Sequence, residues 1–545
     1  MQTLSKLQIR AKVLSVLSEV KTLTAYSADL VSSYVEILSE VDDKKFLLDI
    51  VLKEIVKMTD DEVSFCACII KALLSKNDVE EAVFNLLKAS VFSDEAKYKL
   101  VQFLRVVGFS EAFNELPQYF DNPQEMLDLE TEKMMERASF NPETMLDFLD
   151  FLFAVSDKDK KILLSSLKED FTGDNLANLI APVLYSDFSD SIKLQVIEIL
   201  SETKSSIALL PFDYLLSVSD NKEIISAIEL AKKKLKFAGA SEDKIIEFFS
   251  NQLKDIKPYE CYTTVPDGAG NQALLVSRLN KDDNINFIAI VVNDEIGIVD
   301  CFGFYNISKS ETKRVVDKFY QSEGKYKVSE NYIKSQVVKA IQTTINNKAV
   351  FPYEFICWNT FLYNISPLSV SIEQMVQNIN KNETVKEDSI TEVLAKEYTY
   401  RWFISSDDSS LFREAIDKMY NLETFENQAL NDILFEYLDK IFDEKQEKLW
   451  KNRLTQLVYL LQENSLSKDA ILFAQILKNE RFFYVFKQII VQRSLFNNML
   501  LLKENVKASS LPVNIFKKKM VNDEKYDIKR IDKIILQLQK CWLNE

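Results

Sequence analysis

Apolar residues recur at helical spacing along most of this chain. Between residues 43 and 58, Leu47, Leu48, Val51, Leu52, Ile55 and Met58 share one face, as the 3.6-residue period of an amphipathic helix requires. Thr59 and Glu62 follow at capping-box spacing, so a second helix is expected to begin there. Short Ser/Asp/Asn breaks near Asn77, Ser93, Asn141, Ser156 and Asp187 punctuate the pattern. Helices of about 12–16 residues joined by such turns stack as antiparallel pairs. Beyond Phe351 the helical pattern returns, with Leu430, Leu434, Leu438 and Ile441 on one stripe.

One stretch breaks this rhythm. From Lys257 the period shortens and β-rich runs appear at Glu260 to Val265, Gln272 to Leu279, Ile285 to Asn293 and Ile296 to Phe302. Turn residues separate them: Pro266-Asp267-Gly268, the polar run Asn280 to Asn284, and Asn293-Asp294-Glu295. That pattern predicts a three- or four-stranded antiparallel meander. Four of the eight glycines lie between Gly268 and Gly303. Ser308 and Glu311 then have capping-box spacing for a helix through Tyr320. A further helix over 329–347 is expected to cover one sheet face, because so small a sheet is unstable alone. The expected division is residues 1–256 helical, 257–347 a small α+β module, and 348–545 a C-terminal helical domain.

Residues 175–235 carry a repeat. One unit runs from Leu179 through Pro182 to Leu184, then Ser189-Asp190, then Ile192 to Leu200. The next runs from Leu209 through Pro211, then Ser219-Asp220, then Ile224 to Leu230. The Ser-Asp pairs are 30 residues apart and the Ile197-Glu198 and Ile228-Glu229 pairs 31 apart. Each unit has a first helix with an early proline, an acidic turn and a second amphipathic helix. This resembles HEAT-like α-solenoid repeats, closely over two units and loosely over residues 1–240. The resemblance implies a mainly α fold in which neighbouring units bury one another's apolar faces. The fold class expected is thus a HEAT-like solenoid, then a small α+β module, then a helical domain.

Composition narrows the chemistry. There is no histidine, so no Ser-His-Asp or Cys-His nucleophile and no His-ligated metal can be built from this chain. Acid–base work would fall to carboxylates, Lys, Tyr or Cys. The net charge of −16 repels phosphate backbones and counts against nucleic acid as a partner. The segment from Lys503 onward is locally basic, with ten Lys/Arg against six Asp/Glu. Lys232-Lys233-Lys234 and Lys517-Lys518-Lys519 are read as solvated faces. The six cysteines, Cys66, Cys68, Cys261, Cys301, Cys357 and Cys541, have no CxxC spacing and read as buried reduced thiols. No apolar run reaches the roughly 18 residues of a membrane span. The charges Lys6, Arg10, Lys12 and Glu19 mark the first twenty residues as a surface helix rather than a signal peptide. A cytoplasmic protein is expected, and the sequon Asn382-Glu383-Thr384 is expected to be without meaning.

Candidate sites cluster in the central module. Asp267-Gly268-Ala269-Gly270-Asn271 is a loop whose backbone N–H groups could hold an anion, with Arg278 the nearest cation in sequence. It lacks the Lys-Ser/Thr of a P-loop, and a strand follows it, so a plain turn is the competing reading. Asp267, Asp294, Glu295 and Asp300 come from loops of one small module; such carboxylates can hold Mg²⁺ if they converge. Asp and Asn also suit hairpin turns without any function. Cys301 would serve as a nucleophile only beside a Lys, an Arg or a helix N-terminus. The segment Phe351 to Ile365 is dense in aromatics, and reads either as a well-filled core or as an aromatic binding groove. The reading chosen is a non-catalytic scaffold for a protein partner, without metal or cofactor. The alternative is a carboxylate- or metal-dependent enzyme acting on a phosphorylated or nucleotide substrate through the central module.

Overall fold

The computed structural model describes residues 5–23, 28–88, 92–108, 117–123, 139–280, 282–320, 324–377, 379, 387–404, 410–509 and 526–542. It is mainly helical, with one five-stranded antiparallel sheet. The runs Asn382 to Thr384 and Lys517 to Lys519 lie outside the described residues, as do the side chains of Cys541 and Trp542.

Among the described residues six helices come first: α1 (Lys6–Val20), α2 (Ala28–Ser39), α3 (Lys44–Ile55), α4 (Asp60–Leu73), α5 (Lys76–Lys88) and α6 (Asp94–Val107). The stripe foreseen on α3 is buried through Leu47, Leu48, Val51, Leu52 and Ile55. The capping box forms as well. Thr59 N–H donates to Glu62 Oε2 at 2.8 Å, and Glu62 N–H donates back to Thr59 Oγ1 at 3.4 Å. The break expected near Asn77 falls at Leu74-Ser75, because α5 already begins at Lys76. Val13, Leu47, Val63, Leu100 and Phe103 join one apolar cluster confined to residues 9–120.

Seven helices follow: α7 (Pro142–Ala154), α8 (Asp157–Asp170), α9 (Gly173–Ile180), α10 (Asp190–Glu202), α11 (Leu209–Val218), α12 (Lys222–Phe237) and α13 (Glu242–Gln252). Here the sequence repeat becomes a physical ladder. Ser189 Oγ donates to Asp157 at 2.6 Å, Asn221 Nδ2 to Asp190 at 2.7 Å, and Ser205 Oγ to Asp174 at 2.5 Å. Each bond spans 31 or 32 residues, so each ties a helix N-terminus to its counterpart one repeat away. Helices α8, α10 and α12 consequently lie side by side, while α11 packs on the 3₁₀ turn Ala181–Tyr185.

The sheet follows, in the order β4-β3-β2-β1-β5. Its strands are β1 (Lys257–Thr263), β2 (Asn271–Leu279), β3 (Ile285–Asn293), β4 (Gly297–Ile307) and β5 (Tyr326–Lys327). The first four form the expected meander. Three features differ from the expectation. Strand β1 spans Lys257–Thr263 instead of Glu260 to Val265. Strand β4 runs on to Ile307, and the two-residue β5 pairs with β1 through Tyr262↔Lys327 and Thr263↔Tyr326. So short a strand has no period of its own and is set by its partner. Leu274, Val276, Ile288, Ile290 and Cys301 belong to the face that meets α15 (Glu330–Asn346). Ala273, Leu275, Phe287 and Ala289 face the other way, where α14 (Lys309–Phe319) contributes Val316. Alternation of this kind is the period-2 pattern made physical.

Helix α16 (Tyr353–Trp358) leads into the C-terminal helices α17 (Ile372–Gln377), α18 (Glu387–Leu394), α19 (Ser410–Tyr420), α20 (Asn427–Ile441), α21 (Glu444–Glu463), α22 (Ser467–Lys478), α23 (Glu480–Ser509) and α24 (Ile528–Trp542). Trp402, Trp450, Phe442 and Phe486 pack ring against ring among them. A single apolar cluster runs from Met145 through the sheet to Leu538. The packing is therefore continuous across residues 256 and 347. Among the described residues no helix is long and apolar enough to cross a membrane.

Candidate functional site

The glycine loop between β1 and β2 is where the sequence concentrates its unusual residues. Its backbone donors are all engaged. Asp267 Oδ1 accepts from the N–H groups of Ala269 at 2.9 Å and Asn271 at 2.8 Å. Gly268 N–H donates to Arg401 O and Gly270 N–H to Asp267 O. The anion in this nest is thus the loop's own carboxylate, which leaves none of these four donors for a ligand. Gly268 and Gly270 are required for a different reason. A Cβ on Gly268 would lie 2.1 Å from Phe403 O. Gly270 has φ +85°, and a Cβ there would lie 1.9 Å from Asp294 Oδ1. Glycine is the residue that tolerates both the left-handed backbone and the close approach.

What approaches Gly270 so closely is an ion pair. Arg453 of α21 reaches the loop with Nε 2.7 Å from Asp294 Oδ2 and Nη2 2.9 Å from Asp294 Oδ1. Its Nη1 donates to Gly268 O at 2.9 Å. The two side chains are only 3% and 10% exposed. The guanidinium also lies 4.9 Å from the Trp450 ring. Trp402 closes the joint by donating Nε1–H to Pro266 O at 2.8 Å. A bidentate fork, a backbone acceptor and an aromatic face together satisfy a buried arginine. Arg453 carried a readable signal. It sits three residues after Trp450 and four before Leu457, on the apolar face of its helix. A charge there implies a buried partner, although nothing in the sequence says which.

The other candidates lie elsewhere. Asp300 is exposed on β4, and its Oδ1 accepts from the adjacent Cys301 N–H at 2.8 Å. Asp267 borders a groove of about 560 Å³ with Glu397, Tyr398, Tyr400 and Arg401, whereas Asp294 lines a separate small recess beside Lys339. Glu295 pairs with Lys445 at 2.6 Å. Asp267, Asp294 and Asp300 thus share no pocket. Among the described residues no group of three or more carboxylates or thiols is placed to hold a metal ion. Arg278 is buried at the far end of β2, where Nη1 donates to Phe361 O at 2.6 Å and Asn364 Oδ1 at 2.5 Å. It fastens the sheet to the segment after α16 and stays away from the loop.

Cys301 is buried, and burial followed by the charges of Asp300 and Glu354 pushes its thiol well above the ordinary range. It is held as a neutral thiol, the opposite of an activated nucleophile. Burial pushes Cys66 and Cys261 up to about 12. Among the described thiols Cys66, Cys261, Cys301 and Cys357 are buried, but Cys68 is exposed. Two positions on from Cys66, it occupies a different side of α4.

No protein-family model, curated protein or solved structure matches this chain.

Proposed function

We propose that this protein is a non-catalytic interaction scaffold. Its N-terminal helices, to about residue 256, form a HEAT-like α-solenoid, and the central module and C-terminal helices brace one end of it. The reading rests on one observation. The outer face of α12 carries Leu230, Lys233, Lys234 and Phe237 at helical spacing. Leu230 is 58% exposed and Phe237 is 96% exposed, with Ile246 of α13 at 62%. Lys232 is paired with Asp213, but Lys233, Lys234 and Lys236 make no ion pair among the described residues. Apolar side chains left in water beside unpaired cations suit a partner segment that is both apolar and acidic. The 31-residue ladder holds this strip on a rigid array, as repeat surfaces generally do.

The test is affinity purification of the full chain from its own cells. The comparison is with a Leu230→Asp/Phe237→Asp variant and with Tyr400→Ser, an exposed substitution on another surface. A stoichiometric partner is expected with the native chain and the control, and is expected to be lost from the double variant. A partner retained equally by all three, or no stoichiometric partner, overturns the reading.

A further inference from the structure

A mainly apolar recess shares no lining residue with the glycine loop. A cavity of about 350 Å³ opens where the helical stack meets α15 and α16. That volume falls within the roughly 300–1,000 Å³ of small-molecule pockets. Its walls are aromatic. Tyr185 stacks on Tyr214 at 4.7 Å and 25°, and Phe351 meets both rings. Across the cavity Phe249 stacks on Tyr363 at 4.0 Å and 8°. Pro182, Leu210, Ile341 and Ile345 are among its aliphatic lining residues.

The polar groups are few and unevenly satisfied. Tyr214 Oη donates to Ala349 O at 3.3 Å. The hydroxyls of Tyr185 and Tyr363, which also line the cavity, make no hydrogen bond among the described residues. Asn359 Oδ1, another lining residue, is buried without a partner. Buried polar groups are satisfied in the great majority of cases, so the orphaned Asn359 Oδ1 is a departure that needs a cause, and the half-buried Tyr185 and Tyr363 hydroxyls are free to bond beside it. Burial, then the neighbouring Tyr363 and Tyr214, hold the Tyr185 phenol well above its ordinary range. It is a neutral donor. Among the described residues no Lys or Arg lines the cavity, and its one charged lining residue, Asp213, is already paired with Lys232.

We propose that this cavity is a binding site for an uncharged, flat aromatic small molecule carrying a hydroxyl or similar polar group. The stacked ring pairs supply flat walls for the ring system. The phenols of Tyr185 and Tyr363 supply the hydrogen bonds, and the absence of a lining cation disfavours an anion. The site is independent of the scaffold strip, since Leu230 and Phe237 do not line it.

The test uses the full chain with three probes of similar size: 2-naphthol, naphthalene and naphthalene-2-sulfonate. Binding is followed by calorimetry and ligand-observed NMR. Saturable one-to-one binding of 2-naphthol is expected, about tenfold tighter than naphthalene, since one good hydrogen bond is worth about a factor of ten. The sulfonate is expected to bind most weakly. Ser217→Trp, at an exposed position on the rim, is expected to weaken 2-naphthol at least tenfold while leaving the melting curve unchanged. Tyr185→Phe combined with Tyr363→Phe is expected to abolish the preference for 2-naphthol over naphthalene. No saturable binding, equal binding of the sulfonate, or binding indifferent to both sets of substitutions overturns the proposal.

Discussion

The glycine-loop joint and the aromatic cavity are built on opposite principles. At the joint every donor is matched: Asp267 fills its own nest, Arg453 forks onto Asp294, and Trp402 seals Pro266 O. At the cavity the rings stack well, but two lining hydroxyls and one amide oxygen go unmatched. A satisfied polar cluster of this kind is a fastening, because its groups have nothing left to offer. An unsatisfied rim around apolar walls has capacity to spare. The residues that looked most like chemistry in the sequence therefore serve assembly, and the segment after Phe351, read first as a well-filled core and largely buried, borders the open space through Phe355 and Tyr363.

The joint gives the largest expected effect. Arg453→Met leaves Asp294 charged, 10% exposed and without its partner, and a loss of about 3–5 kcal/mol is expected. Urea unfolding followed through the tryptophans measures it. Adding Asp294→Leu to Arg453→Met is expected to recover more than half of that loss; if it recovers nothing, the ion pair is not what holds the loop to α21.

A smaller effect belongs to Lys334 of α15, beside the cavity residue Tyr363. It donates to Leu362 O at 2.9 Å and lies 5.6 Å from the Tyr363 ring. Burial lowers its pKa from 10.5 to about 8. Between those values the unfolded chain binds the extra proton, so stability rises with pH from about 8 to 10.5 and the burial penalty is fully present below about 8. Against Lys334→Met, which has no such titration, the native chain should gain roughly 2–3 kcal/mol across this window. Urea midpoints of both proteins at pH 7.5, 9 and 10.5 check it, and parallel profiles would remove Lys334 as the cause.

The smallest effect completes the contrast. Tyr185→Phe removes a hydroxyl that forms no bond, so the change in stability should stay within about 0.5 kcal/mol. A loss of about 1.5 kcal/mol or more in the same urea experiment would mean that the hydroxyl is already satisfied and that the cavity differs from the joint less than the geometry says.

Much of the fold was legible because local rules govern it. The Thr59/Glu62 and Ser308/Glu311 boxes form as spaced, and β3 occupies the expected Ile285–Asn293. Alternation and capping depend on neighbours a few residues away. The two-residue β5 has no such signature. At the site, the loop was recognisable as special through its glycines, but its meaning was not. Arg453 lies 159 residues from Asp294, and no local pattern pairs them.

By itself the sequence determined the helical rhythm, the position of the β island, the repeat near 31 residues and the exclusion of histidine chemistry. Each follows from residue type and short-range spacing. Only the tertiary structure decided that Asp267 and Asp294 line different recesses, that Arg278 and Arg453 are fasteners, and that Phe351, Phe355 and Tyr363 border a cavity. Those outcomes depend on which distant surfaces meet. The energy that decides them, burying a charge beside its partner or leaving a hydroxyl without one, arises only once the chain has closed on itself.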